Sequence, residues 1–207
     1  MMIIEASPYN NESLNRIYEL LFCDDASLFR PDEAQLLQYP YNRIFAEHAD
    51  VDDLQAVTID ESIEARLRIL AARKLKSMGQ RPADSSLMAV IVEVGLEGGL
   101  DVVAAFCDGT ARYINHAEKI VFWDAASAES MRFTNAMLEA GEAVVKQIGP
   151  WKEARPPHPS NGNARISFIA AGEWSFGQGP FSALFNDPMA APVLDTALQL
   201  MKFLTQH

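Results

Sequence analysis

The chain reads as an α+β protein: a four- or five-stranded antiparallel meander with helices packed on one face and a helical N-terminal segment. Three observations predict this. Apolar residues recur at helical spacing through about residue 80, and from Leu87 they alternate instead. Two glycine-bearing stretches, Glu97-Gly98-Gly99 and Asp108-Gly109, punctuate the alternating region as hairpin turns do.

In chain order, Asn11 is placed to cap a helix that carries Leu14, Ile17, Tyr18 and Leu21 on one face. Arg30-Pro31-Asp32 opens a short helix that Pro40 stops, and 42–47 and 52–57 are weaker helical pieces. A helix is predicted over 61–78, capped by Asp60 and ended by a left-handed Gly79. Residues 1–80 are expected either to pack on a core formed by 81–207 or to form a small appended bundle.

"LMAVIVEVG", "LDVVAAFC", "TARYIN" and "KIVFWD" follow as four strands. A two-residue turn at Asp108-Gly109 sets Phe106 opposite Ala111. A three-residue turn at 97–99 sets Val92 opposite Ala104. It is preferred because a two-residue turn would put Glu93 on the apolar face. A four-residue loop at 115–118 completes the meander. The second sheet face, with Ile91, Glu93, Cys107, Arg112 and Trp123, is mixed, and is expected to be covered by the N-terminal helices or a second subunit.

A long helix over 126–148, stopped by Gly149-Pro150, suits the apolar face. The proline-rich 151–163 is long for a loop within a compact domain. "ARISFIAAG" is a fifth strand, "EWSFGQGPFSALFNDP" an aromatic-glycine loop, and 189–204 a last helix.

The 207 residues are 49% hydrophobic and 22% charged, enough for a core without disulfides or metal. A net charge of −11 opposes nucleic acid and anionic membranes as partners. Arg66, Arg68, Arg73, Lys74, Lys76 and Arg81 crowd one helix and its end. A solvated face complementing the helix dipole is the expected role, ahead of an anion or acidic-partner site. Cys23 and Cys107 form no framework. Met1 to Ile4 is too short an apolar run for a signal peptide, and no stretch is long enough to span a membrane. The expected setting is cytoplasmic.

Catalytic motifs are sparse. Cys107 and His116 fall in successive turns, roughly 20 Å apart at ~3.3 Å per strand residue, too far for a nucleophile and its base. His48, His116, His158 and His207 lack metal-ligand spacing, and His207, at the chain end, is expected to be unordered. The acid pairs Asp24-Asp25, Asp52-Asp53 and Asp60-Glu61 sit where helix capping accounts for them. No phosphate loop or nucleophile elbow is present, so no catalytic residue, metal or cofactor is assigned.

The remaining signal is aromatic. Trp151, Trp174, Phe176 and Phe181, with His158 and Glu173 nearby, form the candidate binding surface. Such rings also plug the ends of small cores, which is the commoner outcome. The function expected is a non-catalytic binding or assembly module, for a protein partner or for self-association. The alternative is a small-molecule enzyme, such as a hydrolase, with its site in the loops around Trp151 and Trp174.

Overall fold

The computed structural model describes residues 7–206, so the expectations for Met1 to Ile4 and for His207 lie outside it. Five helices come first: α1 (Glu12–Leu20), α2 (Glu33–Leu36), α3 (Tyr41–Ile44), α4 (Val51–Ile59) and α5 (Ala65–Ser77). The Asn11 carboxamide accepts from the Ser13 and Leu14 amides, and Asp50 accepts from Asp52 and Asp53 to start α4. Asp60 does not cap α5. Its carboxylate turns back onto Ser62, and the helix begins five residues beyond it, at Ala65. Gly79 takes the expected left-handed φ of +76° just past the end.

The sheet has six antiparallel strands, not four or five: β1 (Leu87–Leu96), β2 (Gly99–Phe106), β3 (Ala111–Ile114), β4 (Ile120–Trp123), β5 (Asn163–Ala170) and β6 (Glu173–Pro180), in the order β4-β3-β2-β1-β5-β6. The helix α6 (Ala128–Val145) lies between β4 and β5 in the chain, and α7 (Phe181–Phe185) and α8 (Ala190–Gln206) close it. The expected aromatic-glycine loop is therefore mostly structured, as β6 and α7. Gly177, Gly179 and Pro180 are tolerated in β6 because it is a sheet edge.

Both turn lengths differ from expectation, each by one residue. Leu96 pairs with Gly99, leaving a two-residue turn at Glu97-Gly98. Phe106 N–H donates to Thr110, leaving three residues, Cys107-Asp108-Gly109, with Gly109 left-handed at +81°. The next turn has the same build, with three residues, 116–118, in place of the expected four: Asn115 N–H donates to Lys119, and Glu118 takes the left-handed place at +62°. One residue of slip exchanges the faces of a strand. Val102, Ala104 and Phe106 therefore share a face with Ile91, Ile114 and Glu93, while Val103, Ala105, Ala111 and Tyr113 join Val90 and Val92 on the other.

Helices cover both faces, not one. On one side α6 and α8 pack Met137, Leu138, Val193, Leu200 and Phe203 onto Val90, Val92, Ile166 and Phe168. Gly141 lets α6 approach closely, since a Cβ there would meet Leu87 and Val90 at 2.9 Å. On the other side α1, α4 and α5 pack Tyr18, Leu54, Ile69 and Leu75 over Ile91, Ala104, Phe106 and Ile169. The middle of this face is thus covered by the chain's own N-terminal helices, while Phe122 on β4 and Gln178 on β6 stay exposed at its edges.

Candidate functional site

The register brings Glu93 inside. It lies directly across from Arg165 on β5, and both are fully buried. Arg165 donates through Nε to Glu93 Oε2 at 2.5 Å and through one terminal nitrogen to Oε1 at 2.6 Å. Its remaining hydrogens reach the Tyr18 hydroxyl at 3.3 Å and the carbonyls of Pro156 and Pro157 at 2.8 and 3.0 Å. All five guanidinium donors are used. Tyr18 donates to Glu93 Oε1 at 2.5 Å, and burial pushes its hydroxyl pKa well up. The expected exclusion of Glu93 from the apolar layer fails because a cation 72 residues away neutralises it there.

This network fixes the proline-rich loop against α1 and the sheet. Trp151 N–H donates to the Trp174 carbonyl at 2.8 Å, extending the β6 edge by one bond. Trp174 and Phe176 stack at 4.6 Å between centroids, and Trp151 meets Phe176 edge-on at 5.1 Å. Trp174 is buried, whereas Trp151 is 40% exposed. Beside them opens a cleft of about 540 Å3, lined also by Glu19, Asp24, Arg73, Lys152, Arg155 and Glu173. The hairpin joining β5 to β6 has left-handed residues at Ala171 and Gly172, and Gly172 presses on the backbone of Ala72 and Arg73. That contact sets α5 beside the cleft.

The charges here are mostly matched. Arg155 pairs with Glu19 and, at 2.7 Å, with Asp24, and its guanidinium lies 3.9 Å from the centre of the Phe22 ring. Glu173 bonds Lys152 at 2.7 Å and Lys76 at 3.3 Å, and the Lys152 bond leads the effects holding its carboxyl below the usual range. Burial raises the Glu19 carboxyl, although Arg155 pulls it down.

Two of the predicted site residues lie elsewhere. His158 borders a separate cleft with Tyr18, Arg155 and Pro156. Phe181 lies on a third surface, an apolar groove of about 400 Å3 between the sheet and α7 and α8. Val92, Val94, Val103 and Tyr113 line it, and Phe185 and Leu198 stand on its margin, 46% and 42% exposed. Asp101 is the one charged side chain lining this groove among the described residues. It accepts from Tyr113 Oη at 3.2 Å and from the His116 amide at 2.7 Å, and burial pushes the Tyr113 hydroxyl up to about 12.

Sequence reasoning missed Arg155 and the Phe185/Leu198 margin, and it did not place Arg73 beside the tryptophans. The i, i+3, i+4 spacing of Phe181, Leu184 and Phe185 carried a readable helical signal. Arg155 carried none, because its acids are more than 130 residues away.

The thiols are poor nucleophiles. Burial pushes Cys23 up to about 12 and Cys107 up to about 11. Cys107 and His116 sit in the turns at opposite ends of β3. Among the described residues no group of three or more His, Cys, Asp or Glu is placed to hold a metal ion, and no helix is long and apolar enough to cross a membrane. Comparison with protein-family models, with curated proteins and with solved structures finds no match to this chain.

Proposed function

We propose that this chain is a non-catalytic binding module for a protein partner, which docks in the groove between the sheet and α7 and α8. The supporting observation is the clustering of Phe181, Phe185 and Leu198, three of the large apolar side chains left exposed, around one concave surface. Surfaces of this kind mark association sites more often than chance exposure does. The occupant that fits is an apolar segment carrying Lys or Arg. The groove supplies Asp101 as its charged group, and a chain of net charge −11 repels its own copies.

A hydrolase at the tryptophan cleft is less well supported. Glu19, Asp24 and Glu173 are each tied to a cation there, an arrangement that favours holding a shape over moving protons.

The test is peptide selection from a random display library by the full chain, with counter-selection on a variant carrying Phe185→Asp and Leu198→Asp. Both positions are exposed, so the variant is expected to fold. Enriched peptides should combine apolar residues with Lys or Arg and bind the parent chain alone. No enrichment, or equal binding to both proteins, would reject the reading.

A further inference from the structure

The six clustered basic residues of α5 and its end divide into two groups. Arg66 pairs with Glu64, Arg68 with Asp84 at 3.1 Å, and Lys76 with Glu173. Arg73, Lys74 and Arg81 have no carboxylate within 4 Å among the described residues, and neither does Arg30, which lines a cleft of about 430 Å3 together with Arg73 and Lys74.

Arg73 makes one hydrogen bond, from a terminal nitrogen to the Phe22 carbonyl at 3.3 Å, and its Nε is buried without a partner. Lys74 donates to the carbonyls of Ile44 and Ala46, both at 2.8 Å, which leaves one of its three hydrogens. Asp24 is the carboxylate lining this cleft, and Arg155 already holds it. The remaining wall is apolar, with Ile44, Phe45 and Leu70.

The dipole of α5 accounts for cations in its last turn. It does not account for a half-buried guanidinium with an unpartnered Nε and no carboxylate within 4 Å, in a chain that carries 28 acids against 17 Lys and Arg. Unspent donors from three cations, converging beside apolar side chains, match a dianion on an apolar body.

We propose that this cleft binds a small phosphate monoester, with the phosphate held by Arg73, Arg30 and Lys74 and its aromatic or aliphatic body against Phe45 and Ile44. The site is independent of the protein-docking groove.

The experiment is calorimetric titration of the full chain with phenyl phosphate, inorganic phosphate, benzoate and benzylamine. Phenyl phosphate should bind about tenfold tighter than inorganic phosphate or benzoate, and benzylamine should not bind. Arg73→Gln should weaken phenyl phosphate by about tenfold or more. Arg30→Gln, at an exposed position that cannot disturb the core, should weaken it by about threefold. Three results would each overturn the proposal: no binding of phenyl phosphate by the parent chain, benzoate binding as tightly as phenyl phosphate, or affinity unchanged in both folded variants.

Discussion

The two faces of the sheet solve burial differently. Toward α6 and α8 the layer is built mainly from aliphatic and aromatic side chains, and among the described residues no charged one is buried there. Toward the N-terminal helices the same sheet buries Arg68, Glu93, Arg112 and Arg165. An apolar layer is stabilised by area and tolerates some sliding. A layer containing an ion pair is satisfied at one register only, because a slip of one residue would leave a buried charge alone. One face therefore supplies cohesion, and the other sets the alignment and holds the loop that shapes the tryptophan cleft.

The sharpest way to break this contrast is Arg165→Leu. Stranding Glu93 should lower stability by about 3–5 kcal/mol in urea denaturation. Adding Glu93→Met to it should recover part of that loss, whereas two independent substitutions would add. On the apolar face Leu200→Ala should cost about 3 kcal/mol through the cavity it leaves, with no comparable rescue by a second change.

Alkaline pH probes burial on both faces, since Tyr113 toward α6 and α8 also has its hydroxyl raised to about 12. Cys23, on the N-terminal side, has its folded pKa raised from 9.0 to about 12, so the unfolded chain releases that proton first as pH climbs. Its contribution is complete below about pH 9 and is lost as pH rises toward about 12. Urea melts at alkaline pH should show the decline, and Cys23→Ala should lessen it, the remainder coming from Cys107 and Tyr113.

Smaller effects lie at the edges. Ser127→Ala removes the capping box of α6 and should cost about 1 kcal/mol in the same melts. Lys146→Ala, breaking an exposed pair with Glu142 at 3.7 Å, should change stability by less than about 0.5 kcal/mol.

Much of the fold was legible because its signals are local. Asn11 as a cap, Gly79 as a terminator and the alternation of β1 to β5 are each read within a few residues. The turn lengths were not, since Glu97-Gly98-Gly99 and Cys107-Asp108-Gly109 offer similar residues and the choice depends on where one left-handed position falls. Burial of Glu93 argued for the wrong register because Arg165, its partner, is invisible to any local pattern. Of the candidate surface, Trp151, Trp174, Phe176 and Glu173 do converge, while His158 and Phe181 belong to other hollows. Which loops meet in space depends on β6 and on the α5 contact at Gly172, and neither is written in the spacing of the aromatics.

The guanidinium at 165 has an evolutionary corollary. It joins the first helix, the central strand and two successive proline carbonyls at a single point. Descendants of this chain cannot drift at 93 and 165 independently. A neutral pair can arise only if both positions change together and the proline segment finds another anchor, so the two sites should be inherited as one.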